Sequence, residues 1–439
     1  MKPRIKNKIP GEKAKKWLEI DKKYVSPSYT RVYPFVAEKG KGVWVYDIDG
    51  NRFLDFNAGV AVLSLGHSHP DVIKTVEKQI KKLIHYSGTD FYYPSEIKLA
   101  QKLAEISPGA KNRKVFFSNS GAEAVETSIK LARYHTKRPY VLAFYGGFHG
   151  RTMGALSATA SNLIHRKGFF TLFYGTVHAP YPYCYRCPFN LKSPECDFAC
   201  IKFIEENIFS RLVDPEEIAA FIIEPIQGEG GYIPAPDGYF KELKRLLDKY
   251  EILLIVDEVQ SGMGRTGRFF AIEYYDVIPD IISLAKGIAS GFPLGACIAK
   301  SGIMNWPPGA HASTFGGNPV SCEVALKVIE NLENGLLEHV EKLGKKVIEE
   351  LKKWEEEFEI VGDVRGKGLM IGIEIVKDKK TLKRNKEKRD KIIMKCFEKG
   401  LLTLPAGENT IRICPPLIIK EEEMFTGLEI LKESIKEVM

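Results

Sequence analysis

Ile281 to Gly287 reads I-I-S-L-A-K-G, a short apolar run that delivers one lysine, Lys286, to its end with a glycine just beyond. A continuous apolar segment of this length predicts a buried strand of a parallel sheet. Lysine is a costly choice there, because burial disfavours an ammonium unless something neutralises it. An amine in an apolar site has a depressed pKa and is a ready nucleophile for a Schiff base with a carbonyl group. The competing reading is a surface lysine just past a strand end, and what lies upstream decides between the two.

Glu251 to Gln260 reads E-I-L-L-I-V-D-E-V-Q, a second run of strand length that ends in Asp257, with Glu258 and Gln260 just after it. Two parallel strands would then end side by side, and in open α/β sheets ligands sit outside the carboxyl ends of the strands. Asp257 and Lys286 are therefore expected to face one cavity. A carboxylate opposite a lysine suits pyridoxal phosphate: the acid keeps the pyridine nitrogen protonated, so that the ring draws electrons from a substrate carbanion, and the lysine holds the aldehyde end.

Working outward, Val115 to Ala122 reads V-F-F-S-N-S-G-A, a strand running into Ser120-Gly121-Ala122, followed by a helix with Val125, Ile129 and Ala132 on one face. Strand, small-residue turn and helix start make a seat for a phosphate, through exposed amides and the positive end of the helix dipole. Val141 to Tyr145 is again strand-like and leads into G-G-F-H-G-R-T, Gly146 to Thr152. Its glycines allow close backbone approach, Phe148 offers a ring to stack on a cofactor or to pack in the core, and Arg151 offers a guanidinium for a carboxylate. Ala219 to Gly231 is a further strand, with Glu224 at its end and Glu229 in the glycine-rich stretch beyond, and a helix carrying Phe240, Leu243 and Leu247 precedes the Asp257 strand. Alternation of strands and helices from 110 to 290 predicts a mostly parallel sheet with helices on both faces. Gly262 to Gly267 matches the dinucleotide fingerprint G-x-G-x-x-G, but it does not follow a strand directly and opens no clear helix.

Toward the N-terminus, Trp44 to Phe56 carries two alternating runs joined by Asp-Gly-Asn, a hairpin signal, and His67 and His69 read as turn and cap residues rather than metal ligands. Beyond Lys286, Ser313 to Pro319 is a polar, glycine-rich loop, and a long helix is expected from Pro319 to Lys353. The final hundred residues alternate strands (Gly368 to Val376, Ile411 to Cys414) with charged helices, as in a compact α+β domain, and Lys377 to Arg389 is a solvated basic excursion.

With 439 residues the chain has room for a large core and more than one domain. Lys and Arg outnumber Asp and Glu by 64 to 56, but the lysines lie beside glutamates along helices, which predicts an ion-paired surface and no nucleic-acid partner. Four glutamines among abundant Lys and Glu hint at a heat-adapted source. No apolar stretch approaches membrane-spanning length and the first residues lack the apolar core of a secretion signal, so the expected setting is cytoplasmic and off the membrane. Of eight cysteines, Cys184, Cys187, Cys196 and Cys200 cluster as C-x2-C-x8-C-x3-C, readable as a zinc knuckle, as disulfides or as reduced thiols. Cys297, Cys322, Cys396 and Cys414 stand in apolar contexts and are read as small core residues.

Taken in order, N-S-G-A-E-A-V-E, G-G-F-H-G-R-T, E-P-I-Q-G-E-G-G, D-E-V-Q-S-G-M-G-R-T-G, S-L-A-K-G-I, S-T-F-G-G-N-P and I-R-I-C-P-P make a sequence that resembles the class III (ω-type) pyridoxal-phosphate-dependent aminotransferases, the group with the 4-aminobutyrate and ornithine aminotransferases. The likeness runs from about Tyr33 to Pro416. It implies an α/β protein of fold type I, with a large cofactor-binding domain over 66–329 and a smaller α+β domain from 1–65 and 330–439, acting as a homodimer with sites at the subunit interface. It implies amino-acid and 2-oxo-acid substrates, with Lys286 as the Schiff-base lysine and Asp257 as the partner of the pyridine nitrogen. Gln260 would contact the ring hydroxyl and Phe148 stack on the ring. The seat at Ser120, Gly121 and Ala122 would hold the phosphate, joined by Thr314 from the other subunit, and Glu224 would lie next to the cofactor. Arg151 resembles the arginine that receives a substrate carboxylate. Glu229 and Arg412 match a switch pair, in which the glutamate masks the arginine until glutamate or 2-oxoglutarate arrives. Some members of the family are amino-acid racemases or epimerases with the same lysine and acid; the Glu229 and Arg412 pair favours transamination.

Overall fold

A computed structural model describes residues 1–110, 112–169 and 175–439. At its centre lies a seven-stranded sheet in the order Arg113–Ser118, Gly295–Lys300, Ile281–Leu284, Leu253–Asp257, Ile218–Ile223, Tyr140–Phe144, Thr176–Ala179. Neighbours run parallel throughout, except that Gly295–Lys300 is antiparallel to the strand on either side of it. The continuous apolar runs form this sheet because both faces are covered: every residue of Ile218–Ile223 is buried.

Strand residues of opposite parity serve the two faces. On one, Val141, Ala143, Ile222, Ile255 and Ile281 pack with Val125, Ile129 and Ala132 of the helix Gly121–Thr136. On the other, Leu142, Phe144, Phe221, Leu254 and Ile282 pack with Phe240, Leu243 and Leu247 of the helix Tyr239–Lys249. Each fully buried side chain of this size contributes roughly 1.5–3 kcal/mol to folding, which commits the sheet to this register and aligns its carboxyl ends.

Two four-stranded sheets flank it. Trp44–Asp47 and Arg52–Asp55 form the expected hairpin, Ala37–Lys41 extends it to a three-stranded meander, and Leu401–Leu402 adds to it in parallel against Leu54 and Asp55. In the turn, Asp47 Oδ1 accepts from the amides of Asp49 and Asn51 (3.1 and 2.7 Å), and Gly50 takes the left-handed φ of +86° that the turn requires. Val361–Lys367, Met370–Ile375, Thr410–Ile413 and Leu404–Ala406 make the second sheet, antiparallel throughout.

The single long helix expected over 319–353 is instead two, Pro319–Asn331 and Leu337–Glu357. The cause is local: Asn334 and Gly335 leave helical geometry, Gly335 with φ +102°, a conformation glycine reaches without strain. His69 caps the helix Pro70–Ile80 by accepting from the Asp71 amide at 3.3 Å, and His67 pairs with Asp55 at 2.8 Å, so both histidines serve turns. Gly262 to Gly267 lies in turns, with Gly264 and Gly267 at positive φ and only a short 3-10 helix, Ala271–Tyr275, beyond them. No helix among the described residues is long and apolar enough to cross a membrane.

Candidate active site

The strand Leu253–Asp257 runs parallel to Ile281–Leu284 with Asp257 opposite Ser283, so the acid and the lysine leave adjacent strands at the same end of the sheet. Both line one cavity of about 470 Å³. Lys286 sits at φ +47°, left-handed and strained for a residue with a Cβ. The turn around it is anchored by Ser64, whose hydroxyl donates to the Gly287 carbonyl at 3.0 Å; a Cβ on Gly287 would lie 2.7 Å from that same oxygen. Burial, reinforced by the Arg412 charge, lowers the pKa of the Lys286 amine and favours its neutral, nucleophilic form.

Asp257 does not face the cavity alone. Its Oδ2 lies 2.8 Å from Nδ1 of His149, and its Oδ1 accepts from the Val259 amide at 2.9 Å. Burial works against a charge on His149, but the hydrogen bond and the charge of Asp257 outweigh it, so the histidine pKa is raised. The imidazole backs the carboxylate with a fixed donor, and its own backbone amide is tied to Thr159 Oγ1 at 2.9 Å. Glu224, at the end of the adjoining strand, holds two of the lining loops together: its carboxylate accepts from the Phe148 and Gly228 amides, each at 3.0 Å. Burial pushes its pKa up to about 7.

The strand-to-helix turn expected at Ser120 to Ala122 is present. Ser120 caps the helix Gly121–Thr136 by accepting from the Glu123 amide at 3.2 Å, and the first-turn amides of Gly121 and Ala122, which have no acceptor within a helix, border the cavity. A Cβ on Gly121 would come 2.7 Å from Val259 Cγ1. Gly121→Ala is accordingly expected to push Val259 into the cavity and weaken cofactor affinity by roughly tenfold, read as release of the bound cofactor on dilution, with little change in thermal stability. Unchanged affinity would show that Val259 has room to retreat.

Ser120, Gly121, Ala122, Phe148, Arg151, Glu224, Asp257, Gln260 and Lys286 all line this one cavity. Arg151 is exposed at its mouth, with its guanidinium 5.8 Å from the Phe148 ring centre. Glu229 and Arg412 lie outside that lining but meet each other, Nη1 to Oε2, at 3.5 Å. Arg412 is buried and its Nε has no hydrogen-bond partner, whereas Glu229 is half-exposed. Thr314 is exposed and does not reach the cavity of its own chain. Sequence reasoning missed His149, Val259 and Tyr232. The first two stand next to assigned residues in the motifs, His149 beside Phe148 and Val259 two positions after Asp257; Tyr232, whose hydroxyl reaches Gln260, gave no local signal.

Glu258 points away from the cavity and has its own consequence. It is wholly buried, accepting from Ser261 Oγ (2.6 Å) and the Ile272 amide (2.8 Å), and burial raises its pKa to about 7. A folded-state pKa above the unfolded value gives stability that is complete below the unfolded pKa and lost as pH rises through the folded one. Between about pH 5 and pH 7 Glu258 therefore withdraws roughly 1 kcal/mol per pH unit. Glu258→Gln is expected to gain on wild type in denaturant unfolding across that range, and a difference independent of pH would contradict this.

Cys297, Cys322, Cys396 and Cys414 are buried, as expected. Cys184, Cys187, Cys196 and Cys200 are free thiols that line a small cavity of about 20 Å³. Among the described residues no group of three or more His, Cys, Asp or Glu is arranged to hold a metal ion. The loop that carries them is tied to the C-terminal sheet, since Tyr183 and Arg186 both bond Glu374, which in turn pairs with Arg365 at 2.6 Å.

The donors fit pyridoxal phosphate on two independent grounds: burial lowers the pKa of the lysine while the opposed acid carries a buried histidine behind it, and the amides at Gly121 and Ala122 open into the same space. The class so defined is the pyridoxal-phosphate enzymes of fold type I. The class-III aminotransferase profile matches residues 24–435. An alanine/serine racemase of Pyrococcus horikoshii is 40% identical over 100% of this chain and 93% of its own length. An acetylornithine aminotransferase of Caldanaerobacter subterraneus subsp. tengcongensis is 40% identical over 96% of this chain and 99% of its own. An aminotransferase structure from Bacillus anthracis superposes with a TM-score of 0.90 at 36% identity, covering 97% of this chain and 99% of that one. The chain belongs to the class-III aminotransferase family, whose enzymes depend on pyridoxal phosphate; related transaminases have been solved PLP-bound and in complex with PMP.

Proposed function

We propose that this enzyme transfers an amino group from an amino acid or an ω-amine of the 4-aminobutyrate or ornithine type to 2-oxoglutarate. The observation that carries the reading is the Glu229 and Arg412 pair: a buried arginine held at 3.5 Å by a half-exposed glutamate that is able to swing away. A buried guanidinium with no counter-charge costs several kcal/mol. Glu229 meets that cost while an uncharged substrate end is bound, and a second substrate carboxylate meets it when 2-oxoglutarate or glutamate takes its place.

Bound pyridoxal phosphate supplies an aldehyde that condenses with amines and a ring that takes up the electron pair released at the substrate α-carbon. With the cofactor bound, Lys286 would hold its aldehyde end and, once freed by a substrate amine, its Nζ would take the proton from the α-carbon and deliver it to the cofactor carbon. Asp257, steadied by His149, would keep a proton on the ring nitrogen. Phe148, Val259 and Gln260 line the space where the ring would be held, and Arg151 at the mouth would take the substrate carboxylate. Thr314 completes the phosphate seat of a partner subunit in a homodimer. What supports that dimer is a cluster of exposed apolar side chains near it, Ile84, Tyr92 and Phe315 among them.

Arg412→Leu is expected to raise the KM for 2-oxoglutarate by roughly 10- to 100-fold while sparing the half-reaction of amines that lack a second carboxylate. An equal loss for both would remove the switch. A racemase reading is favoured by two relatives, the P. horikoshii alanine/serine racemase and a leucine/methionine racemase of Thermococcus litoralis. Incubation with one pure L-amino acid, with and without 2-oxoglutarate, separates the two. Glutamate formed with the oxo acid supports the transferase; rapid formation of the D-isomer without it, and no glutamate with it, would overturn that reading.

A further inference from the structure

We infer that Tyr232 is a positioning residue that locks the Gln260 side-chain amide in one orientation, NH2 toward the cofactor ring oxygen. The inference rests on the proposed place of Gln260. Tyr232 is wholly buried at the end of the loop that bears Glu229. Its backbone holds φ +54°, a strained conformation for a tyrosine, kept by its amide donating to the Gly228 carbonyl at 3.2 Å. That geometry brings the hydroxyl 2.7 Å from Gln260 Oε1.

The polarity of the contact follows from donor counting. A hydroxyl has one proton to give, and an amide offers an acceptor at one end and donors at the other. The single hydroxyl proton of Tyr232 goes to Gln260 Oε1. Gln260 Nε2 is left as the donor, backed by Gly228, where a Cβ would collide with that nitrogen. The relay runs Tyr232, Gln260, ring oxygen, each group donating to the next. Such chains strengthen together, so loss of the Tyr232 hydroxyl weakens the last donor. The charged groups around the relay are Arg412, Arg265 and Glu229, with the Cys414 thiol beside the tyrosine; Lys286, Asp257 and Glu224 face it from the cavity.

A donor to the ring oxygen favours that oxygen in its anionic, unshared state and lowers the pH at which the bound cofactor changes colour. The test is a pH titration of the visible absorbance of the holoenzyme. Tyr232→Phe is expected to raise the wild-type midpoint by roughly 0.5–1 pH unit. Gln260→Leu should shift the midpoint at least as far, and the double variant no further than Gln260→Leu alone. A Tyr232→Phe enzyme with the wild-type midpoint would make Tyr232 a packing residue only, and additive shifts in the double variant would show that its effect bypasses Gln260. Wild-type protein with no visible band would instead sink the cofactor assignment on which the inference stands.

Discussion

Lys286→Ala is expected to lower turnover by at least about a thousandfold while leaving the protein folded, because one amine performs two tasks. In the proposed mechanism it is the covalent seat that holds the aldehyde end and the base that handles the α-proton. The surroundings provide no substitute: Asp257 is engaged by His149 and the Val259 amide, Glu224 by the amides of Phe148 and Gly228, and Arg151 is a cation at the mouth. The phosphate seat at Gly121 and Ala122 is untouched, so the variant should still take up cofactor without a covalent link. A small amine added to the solution should restore part of the rate by standing in as base. Activity within tenfold of wild type would remove Lys286 from the chemistry.

Asp257→Asn is expected to cost roughly a hundred- to ten-thousandfold in turnover, with the cofactor still bound. The side chain keeps its shape and loses its charge, so nothing holds the proton on the ring nitrogen and the ring no longer draws electrons from the α-carbon. The imidazole of His149 loses the charge that raises its pKa and should become neutral, since burial alone disfavours its cation. His149→Asn should cost less, because the carboxylate then keeps its charge and loses only one of its hydrogen-bond partners. Measured side by side, a His149 variant more damaged than the Asp257 variant would reverse the assigned roles.

The parts of this site that were legible in the sequence are those fixed by strand ends. Apolar runs at Leu253–Asp257 and Ile281–Leu284 declare their burial on both faces, and a polar residue at the carboxyl end of such a run has little choice but the cavity. The anion seat was legible for a related reason, since Ser-Gly-Ala between a strand and a helix leaves few other uses for its amides. What lay beyond reach depended on distant pairings. His149 and Asp257 are 108 residues apart, and only the parallel placement of Tyr140–Phe144 and Leu253–Asp257 on either side of Ile218–Ile223 brings the loop of one near the end of the other. Tyr232 meets Gln260 through a left-handed backbone that no residue preference predicts. The long helix expected after Pro319 failed for a different reason: leucine, glutamate and lysine continue the helical pattern across Asn334-Gly335, and the backbone freedom of one glycine outweighs it.

The central claim is a covalent bond at one lysine, and it is tested most directly by borohydride reduction of the holoenzyme followed by digestion and mass analysis. The account predicts a single phosphopyridoxyl group, carried by the peptide that contains Lys286. The group on any other lysine, or on none while the visible band persists, would contradict it.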